Sequence, residues 1–142
     1  MEALVREVAQ EFLPDYPSIQ VAIGNMPAAH GDATLLRQVY VNLIGNALKY
    51  SSRAAMPCVE VGVEAYGAAP AVYFVRDNGI GFDMAYVERL FRPFERLHSD
   101  RDFRGAGIGL ALANLIVQRH GGRIWAEGVP DKGAVFRFTL GG

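Results

Sequence analysis

"CVEVGVEAYG" occupies residues 58–67. Val59, Val61, Val63 and Ala65 fall on one side of this stretch, and Glu60, Glu64 and Tyr66 on the other. Strict apolar–polar alternation is the pattern of an antiparallel strand with one face on a core and the other in water. Working outward, "GAAP" (67–70) turns the chain into "AVYFVRD" (71–77), a second strand. "SIQVAI" (18–23) reads as another. "GGRIWAEG" (121–128) and "GAVFRFTL" (133–140) form a closing pair joined by "VPDKG" (129–133), a turn signal. Helical patterns lie between the strands. Residues 2–13 carry an apolar stripe of Leu4, Val5, Val8 and Phe12 and end at Pro14. A long helix capped by Gly31 or Asp32 runs to about Tyr50, with Ser51 and Ser52 ending it. A short helix is expected near 83–90, then an irregular stretch to Arg104 and a helix from about 107 to 120. Hairpins interspersed with helices predict a two-layer α/β sandwich with one helical layer, and the loss of strict strand–helix alternation argues against a Rossmann fold.

Composition narrows the function. The chain has 142 residues, suited to a single domain over 1–142, and half of them are apolar. Fourteen basic and 15 acidic residues leave a net charge of −1, which gives nucleic-acid binding no electrostatic support. One cysteine, Cys58, excludes an internal disulfide and points to a reducing, cytoplasmic setting. It opens a strand and is expected to be a small core residue. "MEALVREVAQEF" is no signal peptide, and no apolar run approaches the ~18 residues of a membrane span.

Three stretches could carry chemistry. On "LLRQVYVNLIGNALKYSS" (35–52), Asn42, Asn46 and Lys49 share one strip, bordered by Gln38 and Gly45 and opposite Leu36, Tyr40, Leu43, Ile44 and Ala47. This is either an ordinary wet face or a site. Asparagines and a glycine are poor helix formers for a mere surface. Amide oxygens suit a hard cation and lysine a phosphate. In "VRDNGIGFD" (75–83), Asp77 ends a strand ahead of Gly79 and Gly81. A fixed carboxylate accepts and cannot donate, so it suits an exocyclic amino group, with the glycines letting a ring lie on the backbone; a simple Asp-Asn-Gly turn is the alternative. "FRGAGIGLALAN" (103–114) sets Gly105, Gly107 and Gly109 before a stiff helix, as a phosphate site at a helix N-terminus or as a hinge or packing device. Before it, "LFRPFERLH" (90–98) offers Phe91 and Phe94 as anchors and Arg92 and Arg96 as mobile cations, and "HSDRDFR" (98–104) has the character of a lid.

Taken together, "NLIGNALKYS", "RDNGIGFD", "LFRPFERLH", "GAGIGLALA" and "HGGRIW", in this order and at these separations, resemble the ATP-binding catalytic domain of bacterial sensor histidine kinases, in the Bergerat-fold (GHKL) superfamily. The resemblance covers about residues 1–140. "RDFRGAGIGLA" and "RIWAEG" are most similar to the kinase modules of phytochrome-type sensors. It implies a mixed, mostly antiparallel sheet of about five strands, covered on one face by three helices. It further implies ATP and Mg²⁺ as ligands. Asn46 would coordinate the metal, Asn42 would lie one turn earlier near the phosphates, Lys49 would contact phosphate, and Tyr50 would flank the adenine or ribose. Asp77 would accept from the adenine amino group in a pocket shaped by Gly79 and Gly81. Phe91 and Phe94 would base the lid, Arg96 would reach the γ-phosphate, and Gly105, Gly107 and Gly109 would meet the phosphates with Leu110 behind. Asn42, Lys49 and Arg96 would then serve catalysis.

Members of the superfamily that hydrolyse ATP carry a glutamate base where Asn42 stands, and an amide cannot take a proton at neutral pH. Phosphoryl transfer to a partner histidine is the implied activity. His30, His98 and His120 lack the acceptor context; His120 reads as a helix-end residue interacting with the dipole, and His98 as a lid residue. The chain is therefore expected to be a monomeric fragment of a homodimeric parent, soluble or membrane-anchored. The acceptor would lie on a separate dimerisation domain, and a response regulator would act downstream. A free-standing serine kinase of the anti-sigma-factor type and a non-catalytic nucleotide-sensing domain are the alternatives.

Overall fold

The computed structural model describes residues 1–26, 29, 31–65, 71–91 and 109–141. The elements in order are α1 (Glu2–Phe12), β1 (Gln20–Ile23), α2 (Ala33–Ser51), β2 (Cys58–Ala65), β3 (Val72–Asp77), a 3₁₀ segment (Met84–Phe91), α3 (Gly109–Arg119), β4 (Ile124–Val129) and β5 (Gly133–Phe138). A 3₁₀ turn, Leu13–Asp15, continues α1 because Pro14 tolerates a helix start but not its interior.

The strands form one sheet in the order β1-β2-β3-β5-β4. β1 and β2 pair in parallel, and the other pairs are antiparallel. A parallel pair needs a long crossover, which α2 supplies. The sandwich with its mixed, mostly antiparallel five-stranded sheet and three α-helices is as the sequence predicted.

α2 is the spine of the helical layer. The Asp32 carboxylate accepts from the Leu35 N–H at 3.0 Å, which selects Asp32 over Gly31 as the cap. Leu36, Val39, Tyr40, Leu43, Ile44, Ala47 and Leu48 are buried at helical spacing. At the far end the Ser51 and Ser52 hydroxyls fold back on the carbonyls of Leu48 and Lys49 at 3.3 and 2.8 Å, competing with further helix. Gly45, which borders the polar strip, has a packing role: a Cβ there would come within 3.2 Å of the Phe12 ring of α1.

α3 packs Ala113, Ile116 and Val117 inward and stops at a Schellman-type turn. Gly121 adopts φ +79, and the Gly122 N–H donates to the Val117 carbonyl at 3.0 Å. Val59, Val61, Tyr73, Val75, Ala126, Phe136 and Phe138 bring the sheet into the same core. The opposite sheet face closes over itself with ion pairs, Arg76 with Glu60 and Arg137 with Glu64 and Glu127, and with the Arg76 and Arg123 guanidiniums over Phe74 and Trp125.

Cys58 departs from its expected place in the core: it is exposed. It is in phase with Glu60, not Val59, so the alternation of β2 turns it outward. Among the described residues, no helix is long and apolar enough to cross a membrane.

Candidate functional site

Tyr73, Val75 and Asp77 share the helix-facing side of β3, so the strand that fills the core with its first residues ends by aiming a carboxylate under the helices. Asp77 lies between β2 and β5, opposite Val59 and Ala134, and is only 6% exposed. The Gly79 N–H donates to its Oδ1 at 2.8 Å. Burial pushes its pKa up from 3.8 to about 6, against the opposing pull of the Gly79 and Ala134 N–H groups, and no cation among the described residues offsets it. A shift of that size corresponds to about 3 kcal/mol of destabilisation of the ionised form. At neutral pH the group is still mostly ionised: an under-satisfied acceptor at the mouth of a strand end.

The loop after Asp77 is pinned to the C-terminal turn of α2. The Ile80 N–H donates to the Tyr50 carbonyl at 3.3 Å, and a Cβ on Gly79 would lie 2.1 Å from that same oxygen. Gly81, at φ +63, backs onto the Val129 carbonyl, 2.0 Å from where its Cβ would be. Both glycines are therefore required by the protein's own backbone, and their packing is what brings Asp77 and Tyr50 to one place. Gly109 differs. A Cβ there would meet only Asn42, at an ordinary 3.6 Å, so nothing among the described residues demands its bareness.

Asn42, Asn46 and Lys49 lie half-buried along α2, between Gly109 and the Asp77 loop. Asn42 Nδ2 donates to the Gly109 carbonyl at 2.9 Å and its Oδ1 accepts from Gln38 Nε2 at 3.0 Å. Asn46 has no hydrogen-bond partner among the described residues, so its amide oxygen is open to a ligand. The Lys49 ammonium lies 5.9 Å from the centroid of the Tyr50 ring. Leu110 packs against the core behind Gly109, and Phe91 meets Phe136 edge-on at 6.2 Å. Phe94, Arg96, Gly105 and Gly107, with Arg92, His30 and His98, lie outside the described residues.

Three residues that position the site were not singled out for it in the sequence. Asn78 clamps the start of β2, accepting from the Cys58 N–H at 2.9 Å and donating to the Met56 carbonyl at 2.7 Å. Gln38 was read only as a border of the strip. His120 does more than end α3. Its Nδ1–H donates to the Ile116 carbonyl at 2.9 Å, which leaves Nε2 to accept from the Asp32 N–H at 3.1 Å. The ring thus clasps α3 to the cap of α2.

No group of three His, Cys, Asp or Glu side chains among the described residues could hold a metal. The donor set suits a hard cation that takes one amide oxygen from Asn46 and draws the rest of its shell from phosphate and water.

The sequence model for "Histidine kinase-, DNA gyrase B-, and HSP90-like ATPase" matches residues 31–141. The chain belongs to this family. Its relatives include phytochrome-like proteins and sensory kinases. Phytochrome-like protein Cph1 of Synechocystis sp. is 37% identical over 121 residues, which is 85% of this chain and 16% of that protein. Adaptive-response sensory kinase SasA of Crocosphaera subtropica is 34% identical over 137 residues, 96% of this chain and 34% of that protein. This chain thus spans a minor part of the curated relatives it matches. Among solved structures, the mycobacterial sensor histidine kinase MprB superposes with a TM-score of 0.85 at 22% identity, covering 97% of this chain and 93% of that one. Full-length ShkA in complex with AMPPNP superposes with a TM-score of 0.82 at 28% identity, covering 98% of this chain and 29% of that one. The resemblance to histidine kinase ATP-binding domains, drawn from the five boxes, is borne out.

Proposed function

We propose that this domain binds Mg-ATP between the C-terminal half of α2, the loop after β3 and the start of α3. It then donates the γ-phosphoryl group to a histidine on a dimerisation domain outside this chain, in a two-component relay that ends on a response regulator. The observation that carries the reading is Asp77: a buried carboxylate with no cation beside it among the described residues, held by backbone N–H groups at the end of a central strand. Such a group is stabilised by a ligand that brings N–H donors into the dry site, and the adenine amino group does so. Tyr50, linked to the same loop, flanks the base. Lys49 and Asn46 continue along α2 toward Gly109, where α3 opens with a backbone that no atom of the described residues crowds and with N–H groups that suit phosphate.

In this reading Asn46 would hold Mg²⁺, which neutralises charge on the phosphate oxygens. Lys49 adds a positive point charge. The resemblance further assigns Arg96 to the γ-phosphate, Gly105 and Gly107 with Gly109 to the phosphates, and Phe94 to the base of the lid; all of these but Gly109 lie outside the described residues. Asn42 does not act as a base: its amide has no basic lone pair, and its oxygen already accepts from Gln38. Activation of water is therefore disfavoured, and the domain contributes mainly position and electrostatics to transfer.

The test is calorimetry of the chain with ATP, with and without Mg²⁺, followed by incubation with radiolabelled ATP and a dimerisation domain from a phytochrome-type relative. Mg-dependent binding and label on the acceptor histidine are expected. Absence of ATP binding by the folded chain overturns the reading.

A further inference from the structure

Two amides link α2 to the first residue of α3, and their polarity runs one way. The Gly109 carbonyl can only accept, so the Asn42 side chain must turn its Nδ2 toward it, at 2.9 Å. That turns Asn42 Oδ1 back along α2, where it needs a donor. Gln38, one helical turn earlier, supplies Nε2 at 3.0 Å. Both side chains are half-buried, so water competes weakly for these bonds.

We infer that Gln38 is a positioning residue for the phosphate end of the site: through Asn42 it fixes the height of the Gly109 carbonyl, and with it the first turn of α3. This inference rests on the reading of Gly109 and α3 as phosphate-facing. Besides its core packing, α3 is hydrogen-bonded to α2 near each of its ends, Asn42 to Gly109 at the start and Asp32 to His120 just past the last turn. The His120 end has its own lock in the Ile116 carbonyl. The Gly109 end, with Leu110 packed behind it, has no second side-chain hydrogen bond to α2 among the described residues, so the height of its carbonyl depends on the Asn42 amide keeping one orientation. Without Gln38 that amide can rotate, and its oxygen then faces the Gly109 oxygen. The adenine end, built on Asp77, Gly79 and the Tyr50 carbonyl, is separately held by backbone contacts and does not depend on this relay.

The discriminating variant is Gln38→Met, which keeps length and helix propensity but removes the donor. Calorimetry should show ATP bound about five- to tenfold more weakly, the scale of one lost neutral hydrogen bond, with AMP affinity unchanged. Asn42→Ala should give the same selective loss, and the double variant should be no worse than Asn42→Ala alone, because the two act in series. Asp77→Asn should instead weaken ATP and AMP alike. In the nucleotide-free chain, amide exchange at Ala113, whose N–H is bonded to the Gly109 carbonyl by helix geometry, should rise in Gln38→Met while Val117 is unchanged. Additive effects of the two substitutions, equal loss of ATP and AMP, or unaltered exchange at Ala113 overturns the inference. If the wild-type chain binds no ATP, the functional reading has failed, and the exchange experiment still decides whether the relay positions α3.

Discussion

Replacing Asp77 with asparagine separates what the carboxylate does to the fold from what it does for a ligand. Its native pKa is about 6, and that of the unfolded chain is 3.8. The folded state therefore holds the proton more tightly, so stability attributable to this group is present below pH 3.8 and is lost as pH rises through 6. Integrating between those values, the wild type gains about 1.4 kcal/mol relative to Asp77→Asn on moving from pH 8 to pH 5, and would approach about 3 kcal/mol at still lower pH. The comparison cancels every other titrating group. Urea unfolding of both proteins at pH 5 and pH 8, followed by the fluorescence of the single tryptophan, Trp125, measures it. Ligand binding should run the opposite way. Adenosine, which carries no phosphate to titrate, should bind the wild type about tenfold more weakly at pH 5 than at pH 8, because only about one carboxyl in eleven is then ionised. A stability difference between the two proteins that does not change with pH would refute the assignment of Asp77 as a desolvated, uncompensated acid.

Tyr40 is fully buried among Phe138 and Tyr73, and its hydroxyl has no partner among the described residues. Tyr40→Phe should therefore leave stability unchanged or raise it by about 1 kcal/mol, read as a higher urea midpoint. Gly79→Ala, with a Cβ 2.1 Å from the Tyr50 carbonyl, should lower stability by more than about 2 kcal/mol. Gly109→Ala should leave the melting temperature essentially unchanged and still weaken ATP, because among the described residues its Cβ meets only Asn42, at 3.6 Å. Asn46→Ala should keep the fold and abolish the Mg²⁺ dependence of ATP affinity in calorimetry.

The sandwich was legible in the sequence because its signals are local. The alternation of β2, the Asp32 cap and the paired serines after α2 each specify an element without help from distant residues. The chemical strip on α2 was legible for the same reason: a helix places Asn42, Asn46 and Lys49 together whatever surrounds it. What escaped was set by contacts distant in sequence. Gly45 looked like part of a site until the Phe12 ring of α1 was found against it. Gly79 and Gly81 suggested room for a ligand, yet their bareness accommodates Tyr50 and Val129. The roles of Gln38 and His120 depend on α3 lying along α2, which no local pattern reports. Cys58 was misjudged although the β2 alternation already contained the answer, since it shares the phase of Glu60.

The central claim, that Asp77 receives an exocyclic amino group, is tested most directly by comparing ATP with inosine triphosphate in calorimetry of the wild-type chain. The two differ at the position where adenine carries an amino group and hypoxanthine a carbonyl oxygen, which an ionised Asp77 would repel. ATP should bind at least about tenfold more tightly, and Asp77→Asn should erase most of that preference. Equal affinity for the two nucleotides in the wild type would contradict the account.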